Sequence, residues 1–204
     1  MPWLDVEQNT DLWLSVRPGK VTGSRIACVM ANFGKPFGNP AKKLLVDIAI
    51  EQITGQRQWD SYTNADMERG HHEEPLARRR YEEEYFVDVT TGGFYDNGPT
   101  GCSPDGHVNK DGLVEFKSAI PSIHYERIRK KTIDYKWQCI FNLKESKREW
   151  IDFVSFCSLY PYDTQLFIQR LEHDNLKKEY QMIDDRLGEF FKMLETVKER
   201  IRNG

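Results

Sequence analysis

Apolar residues recur at intervals of three and four along the C-terminal part of the chain. Positions with this spacing lie on one face of an α-helix. The pattern predicts an amphipathic helix over about 174–202, with its apolar face in the core or in a packing seam. This face comprises Leu176, Tyr180, Ile183, Leu187, Phe190, Leu194, Val197 and Ile201.

Upstream of this helix, segments of helical period alternate with short runs of extended period. Glycine and proline interrupt the pattern at 34–40, which predicts a loop there. Predicted helices cover 6–16, 24–30, 41–53, 64–85 and 125–145, with a break near Lys131 in the last. Predicted strands cover 85–90, the vicinity of Phe94, 101–105, 113–117, 150–158 and 165–172.

This order of elements predicts an α/β fold with a central mixed sheet. We expect a single domain over residues 1–204, with a core over about 13–172 followed by the C-terminal helix. A chain of 204 residues, 39% of them hydrophobic, is long and apolar enough to bury such a core.

The formal net charge is −3 at pH 7. This value argues against a uniformly basic DNA-binding protein, but it allows an enzyme with a local basic channel and an acidic metal site. No apolar stretch approaches the ~20 residues of a membrane span, and the first residues lack the pattern of a signal peptide. We therefore expect a cytoplasmic protein. The cysteines lack C-x-x-C spacing, which favours free thiols over disulfides or zinc sites at Cys28, Cys102, Cys139 and Cys157.

Two carboxylates and a lysine occur on two adjacent predicted strands. Asp105 ends the first strand, and Glu115 and Lys117 lie two residues apart on the next. Strand alternation places Glu115 and Lys117 on one face with Phe116 on the other, and a hairpin brings Asp105 beside Glu115. These groups suit Mg²⁺ and metal-assisted phosphodiester cleavage. The alternative is a surface hairpin with a Glu/Lys pair, although unpaired charges in an otherwise apolar strand would be costly.

The predicted helix over 64–85 offers a third carboxylate at Glu74. His71 and His72 precede it, but adjacent residues point about 100° apart on a helix, which disfavours zinc binding by this pair. Glu73 and Glu74 taken alone could also be solvated charges. Only the wider pattern favours Glu74 as a metal ligand.

Two further segments could bind phosphate. Arg17, followed by Thr22 and Ser24 at a predicted helix start, would supply a charge and hydroxyl groups beside free amides. The alternative is a helix N-cap at Thr22 or Ser24. Gln138 could bind a phosphate or orient a catalytic group, or it could be a surface amide. The basic run over 127–131 leaves DNA contact and a solvated helix end equally open.

Five short motifs occur in a fixed order between Trp13 and Glu172. They are W-x(3)-R-x-G-x(2)-T-x-S, G-x(3)-E-x(2)-A, C-S-P-D-G, G-L-V-E-x-K and Y-x(2)-Q. In this order they resemble the motifs of the lambda-type phage exonucleases, the YqaJ-like viral recombinase family of the PD-(D/E)xK nuclease superfamily. The resemblance implies one nuclease domain with a restriction-endonuclease-like fold, in which helices flank a central mixed β-sheet.

The resemblance also implies roles for individual residues. Two Mg²⁺ ions, or Mn²⁺ as a substitute, would be held by Glu74, Asp105, Glu115 and the backbone carbonyl of Phe116. Lys117 would position the attacking water. DNA phosphates, including the 5′-terminal phosphate, would be bound by Arg17, Ser24, Ser103 and Gln138, beside the Thr22 hydroxyl of the N-terminal segment.

The activity implied is Mg²⁺-dependent 5′→3′ exonuclease digestion of linear double-stranded DNA with 5′-phosphate ends. A homotrimer would hand the resulting 3′ single-stranded tails to a single-strand annealing protein in the cytoplasm of a bacterial host. The chain departs from the family pattern at two positions. Many relatives continue K-C-P where this chain has Ser118 and Ala119 after the lysine, and many have a second glutamine where Ile140 stands.

Three alternatives stay open at this point. An endonuclease of the same superfamily would cleave closed circular DNA, and an iron–sulfur version would need clustered cysteines near the C-terminus. A DNA-binding module without catalysis is disfavoured by the intact set of Asp105, Glu115 and Lys117. The third alternative is an interaction protein assembled through the C-terminal helix. The helix is compatible with all of these alternatives, so it does not distinguish between them.

Overall fold

A computed structural model describes residues 3–57 and 65–204. Asn64, the predicted start of the second long helix, lies outside the described residues, as do Met1 and Pro2. The helices are α1 (Asp11–Ser15), α2 (Ile26–Met30), α3 (Asn39–Thr54), α4 (Ala65–Tyr85), α5 (Pro121–Lys130), α6 (Lys136–Ser146) and α7 (Lys177–Asn203). The strands are β1 (Trp3–Leu4), β2 (Val21–Thr22), β3 (Val89–Thr90), β4 (Phe94–Asp96), β5 (Thr100–Cys102), β6 (Gly106–Val108), β7 (Gly112–Ser118), β8 (Trp150–Phe156) and β9 (Leu166–Glu172).

A five-stranded sheet has the order β3-β6-β7-β8-β9. β7 and β8 are parallel, with Gly112 opposite Trp150 and Ser118 opposite Phe156, and the other neighbours are antiparallel. Side chains alternate between the two faces of such strands. One face joins the main core beneath α3, α6 and α7 through Leu113, Ile151 and Phe153. The other face packs against Ala77 and Tyr81 of α4 through Val114, Phe116, Val154 and Phe156.

The remaining strands form a second sheet in the order β1-β4-β5-β2. The prediction of an α/β fold with a central mixed sheet between helices is confirmed by the five-stranded sheet. The second, four-stranded sheet was not predicted. The strand predicted over 101–105 is also shorter, since β5 ends at Cys102. Pro104 has no amide hydrogen to donate to a ladder, so residues 103–105 form the connection between the sheets.

Two further predicted elements are longer than the observed ones, and a predicted helix break is confirmed. The helix predicted over 6–16 is only α1, which begins after Thr10, where the hydroxyl accepts a hydrogen bond of 3.3 Å from the Trp13 amide. The strand predicted over 85–90 is only β3, because α4 continues to Tyr85 and Phe86 has a φ of 54°. The predicted break near Lys131 is confirmed, since this residue ends α5 with a φ of 50°.

The predicted C-terminal helix is confirmed as α7. Ile183, Leu187 and Phe190 are buried in the main core together with Ile48 of α3. Arg186 is the polar exception, and it donates to the backbone carbonyls at the end of α2. None of the helices in the described ranges has the length and apolar character needed to cross a membrane.

All four cysteines are free thiols. Cys102, Cys139 and Cys157 are buried, and Cys28 is half-buried. Burial raises the pKa of the Cys102 and Cys139 thiols, so neither favours the reactive thiolate.

Candidate active site

The antiparallel pair of β6 and β7 brings the predicted hairpin residues together. Gly106 pairs with Val114, so Asp105, just before β6, lies beside Glu115. The Asp105 Oδ2 accepts a hydrogen bond of 2.7 Å from the Phe116 amide. Gly106 is required at this crossing, because a Cβ atom there would lie 2.3 Å from the Val89 side chain. The close approach of β6 to its neighbours therefore places the first carboxylate against the middle of β7.

Glu115 is fully buried and makes hydrogen bonds through both carboxylate oxygens. Its Oε1 accepts from Lys117 and from Gln138, and its Oε2 accepts from Asn142 Nδ2 at 2.9 Å. Gln138 and Asn142 are four residues apart on α6, so they share the helix face that approaches β7. Gln138 thus contacts the carboxylate of Glu115 directly.

Asn142 is a site residue that the sequence analysis missed. It stands among apolar residues of α6 and is fully buried. A buried asparagine costs free energy unless it is hydrogen-bonded, so a lone asparagine one helical turn after Gln138 was the available signal.

A cavity of about 710 Å³ opens beside these groups. Glu74 of α4, Asp105 and Lys117 line it, and Phe116 borders it as well. The ammonium of Lys117 lies 3.9 Å from Asp105 Oδ2. The structure therefore brings together the three carboxylates and the amine that the sequence placed on one helix and two strands.

Crowding and burial make the ionised forms of the carboxyl groups in the site unfavourable. Burial, followed by the charge of Asp105, raises the pKa of Glu115 to about 8 and that of Glu74 to about 7. Burial also raises the pKa of Asp105. Burial alone would lower the pKa of Lys117, but the charges of Glu115 and Asp105 raise it overall, so the amine stays protonated. Lys117 does not offset this effect in full, so a bound metal cation would favour the ionised form of the three carboxyl groups.

The donor set fits a hard divalent cation. Within residues 3–57 and 65–204, no three His, Cys, Asp or Glu side chains form a ready metal cage. Mg²⁺ does not need one, because it keeps several waters and takes only one or two protein carboxylates. Glu74 and Asp105 face the open cavity, and Oε2 of Glu115 has one hydrogen bond and a lone pair to spare.

Arg17 lies outside this cavity, in a separate small pocket beside Leu14 and Glu51. Its guanidinium carbon is 3.9 Å from the centre of the Trp13 ring. Burial, and then the charges of Arg25 and Arg57, lower the pKa of Arg17 to about 10. The group therefore remains a cation at neutral pH.

Thr22 and Ser24 flank a turn between β2 and α2. The Thr22 side chain is buried, and its hydroxyl lies 3.3 Å from that of the exposed Ser24. The alternative of a helix N-cap at either residue is wrong, because Arg25 occupies the cap position and no side chain caps the helix. Gly23, between them, packs against Asn142 so closely that a Cβ atom would lie 2.3 Å from its Oδ1.

The hydroxyl of Ser103 is hydrogen-bonded to three groups of the protein. Its hydroxyl donates to the Gly93 carbonyl at 2.6 Å and accepts from Gln8 at 2.9 Å and from Trp13 at 3.0 Å. A hydroxyl has one donor and two acceptor sites, and all three are used. Ser103 thus ties the N-terminal segment to the loop that carries Asp105, and its binding of phosphate stays a prediction.

The remaining sequence candidates occupy the rim of the cavity or its surroundings. His71 and His72 are exposed on α4, and His71 borders the cavity. In the basic run, Arg129 and Lys130 both pair with Glu126. Arg127 is buried instead, and it donates to Ser155, Asp134 and the backbone carbonyl of Lys117.

Comparison with known proteins extends these observations. Residues 12–149 match the YqaJ-like viral recombinase domain. No curated protein sequence gives a significant match.

Solved structures share the fold over nearly the whole chain. An alkaline exonuclease from Laribacter hongkongensis is 32% identical, with a TM-score of 0.79 and coverage of 95% of this chain and 99% of that one. The same enzyme in complex with dAMP gives the same values. A phage-related exonuclease from Haemophilus somnus is 14% identical, with a TM-score of 0.66 and coverage of 90% and 96%. At that identity the likeness concerns the fold alone.

Proposed function

Because this chain belongs to the YqaJ-like viral recombinase family, we propose that it is a Mg²⁺-dependent exonuclease that digests linear double-stranded DNA in the 5′→3′ direction. The observation that carries the proposal is the convergence of Glu74, Asp105 and Lys117 on one cavity, with Glu115 bonded directly to the lysine. The 32% identity to an alkaline exonuclease, over 95% of the chain, supports the same activity.

In the proposed mechanism, three carboxylates bind the metal and a lysine binds the attacking water. When bound, Mg²⁺ would acidify a water and stabilise charge on the leaving oxygen. Glu74, Asp105 and Glu115 would hold the two Mg²⁺ ions together with the carbonyl of Phe116. Lys117, which lies 3.9 Å from Asp105 and bonds to Glu115, would orient the attacking water by donating a hydrogen bond. Gln138 would keep Glu115 in place.

The expected products follow from the bond that breaks. Cleavage between phosphorus and the 3′-oxygen of the terminal nucleotide releases a 5′-mononucleotide. The shortened strand keeps a 5′-phosphate, so each new end has the chemistry of the previous one. The related alkaline exonuclease has been solved with dAMP, which is a mononucleotide of this class.

Capture of the 5′ end is a separate part of the proposal. Arg17 would supply the positive charge for the terminal phosphate, and the exposed Ser24 would add a hydroxyl beside Thr22. A homotrimer around the duplex and a single-strand annealing protein as recipient of the 3′ tails complete the proposed system. Their support is the family resemblance.

Digestion of linear duplex DNA with and without Mg²⁺ tests the chemistry. We expect Asp105→Asn and Lys117→Ala to lower the rate by about 100-fold or more. Lys110→Ala, an exposed lysine of the same hairpin, is the matched control and should digest DNA at the parent rate. Activity near that of the parent in Asp105→Asn and Lys117→Ala would refute the assignment of the site.

The form of the DNA tests the direction and the end requirement. We expect linear DNA to be digested and closed circular DNA to resist, whereas cleavage of the closed circle would favour the endonuclease alternative. A 5′-phosphate end should be digested faster than a 5′-hydroxyl end, and Arg17→Ala should remove this preference. Equal rates on both ends in the parent would rule out capture of the terminal phosphate.

A further inference from the structure

The turn of α4 that carries Glu74 has weakened internal hydrogen bonding. Pro75 lies inside the helix and has no amide hydrogen, so it cannot donate to the carbonyl of His71. A proline in a helix interior removes one helical bond and tends to bend the helix there. Glu74, whose carboxylate lines the cavity, therefore lies on the turn of α4 that lacks one backbone hydrogen bond.

Glu73, the preceding residue, is attached to the sheet. One of its carboxylate oxygens accepts from the hydroxyl of Ser118 and the other accepts from the hydroxyl of Ser158. Ser118 is the last residue of β7, and Ser158 follows the end of β8. These strands are parallel, so their carboxyl ends lie side by side and one carboxylate can bridge both.

The helix spacing explains why Glu73 reaches the sheet while Glu74 reaches the cavity. Residues 73, 77 and 81 are four apart and share one face of α4. Ala77 and Tyr81 of this row are buried against the apolar face of β7 and β8. Glu73 continues the row to the strand ends, where serines replace the apolar side chains. Arg69, one turn earlier, donates to the same Ser118 hydroxyl at 3.2 Å.

We propose that Glu73 is a positioning residue: its bridge to Ser118 and Ser158 holds the Pro75 turn against the strand ends and so fixes Glu74 opposite Asp105. The inference rests on the proposed function, because its consequence is the affinity of the metal site. Loss of the bridge lets one ligand move while β7, with Asp105 beside it, stays in place. Metal binding therefore weakens, and turnover at saturating metal changes little.

Mn²⁺ binding to the free protein, measured by titration calorimetry, is the primary test. We expect Glu73→Ala to weaken Mn²⁺ binding by ~10-fold or more, the range seen when a group that orients a metal ligand is removed. DNA digestion should fall at limiting Mg²⁺ and return to within about threefold of the parent rate at saturating Mg²⁺. Glu83→Ala is the control. Glu83 is an exposed glutamate on the same helix that accepts a hydrogen bond from Tyr162, and its alanine variant should bind Mn²⁺ as the parent does.

The serines provide a second route that leaves Glu73 in place. Ser118→Ala and Ser158→Ala should each weaken Mn²⁺ binding, and the double variant should approach Glu73→Ala. Ser118→Thr keeps the hydroxyl and should restore binding. If Glu73→Ala binds Mn²⁺ as tightly as the parent, the inference is wrong while the proposed function stands. If its digestion rate falls equally at all Mg²⁺ concentrations, the role is structural and the inference is also wrong. If the parent binds no Mn²⁺, the proposed function and the inference fail together.

Discussion

Replacing Gly23 with alanine tests whether the turn between β2 and α2 supports the position of Glu115. A Cβ atom at residue 23 would lie 2.3 Å from Oδ1 of Asn142 and 3.3 Å from its Cγ. Asn142 is fully buried, and its Nδ2 donates to Glu115 at 2.9 Å. The asparagine cannot move away from the new methyl group without lengthening its bond to the carboxylate.

Two costs set the magnitude. Forcing an additional methyl group into a packed site costs about 1–3 kcal/mol. Leaving a buried polar group without its hydrogen bond costs a further amount of about 1–3 kcal/mol. We therefore expect Gly23→Ala to lower the free energy of unfolding by about 2–6 kcal/mol, measured by urea unfolding with tryptophan fluorescence. Gly188→Ala in α7 is the control: beyond its own helix turn, its added Cβ meets nothing within 4 Å, so this variant should be at least as stable as the parent.

A double-mutant cycle separates the clash from any other effect of the alanine. Asn142→Ala removes the side chain that the new methyl group would meet, so Gly23→Ala should cost much less in that background. We expect the two free-energy changes to differ from additivity by about 1–3 kcal/mol. Strict additivity, or a Gly23→Ala variant as stable as the parent, would refute the reasoning.

Three further predictions concern groups away from the cavity. Asp152 is buried and accepts hydrogen bonds from Tyr81 and, twice, from Arg170. Asp152→Asn should therefore lower the free energy of unfolding by about 2–4 kcal/mol, and a loss below about 1 kcal/mol in urea unfolding would contradict this. Burial, and then the charge of Arg148, lower the pKa of His107 to about 4. The pKa of histidine in the unfolded chain is about 6.5, so the neutral form of His107 stabilises the fold fully above about pH 6.5, and this stabilisation is lost as the pH falls toward 4. His107→Gln should flatten the dependence of stability on pH in that window, and an unchanged curve would contradict the assignment. Buried cysteines with a raised thiol pKa, such as Cys102, should react with a thiol reagent only after unfolding, and rapid labelling of the native protein at Cys102 would contradict this.

The elements with long periodic patterns could be predicted from the sequence. The apolar stripe of α7 repeats over seven turns, and the alternation in β7 correctly separates Glu115 and Lys117 from Phe116. In both elements the apolar positions are buried against other parts of the core. The spacing of apolar residues along the sequence shows which positions these are. The two-residue strands β1 and β2 carry no such pattern, because their strand conformation depends on pairing with β4 and β5.

Contacts of single polar residues limited the prediction of the site. The sequence located Asp105, Glu115 and Lys117 because two adjacent strands bring them together through local pairing. It did not locate the Asn142 contact, which depends on how α6 packs against β7. It also could not show that the Ser103 hydroxyl is fully engaged by partners as distant in the chain as Gln8.

The two sheets differ in how readily they can open. In the larger sheet, β8 is hydrogen-bonded on both sides along its seven residues, and β7 is paired with it from end to end. The smaller sheet, which supports Arg17 and Ser24, consists of strands of two or three residues. Backbone amides of β7 and β8 should therefore exchange with solvent deuterium far more slowly than those of β1 and β2. The proposed pocket for the 5′-phosphate therefore stands on the part of the fold that opens most easily, whereas the proposed metal ligands Asp105 and Glu115 are tied to the sheet that opens last.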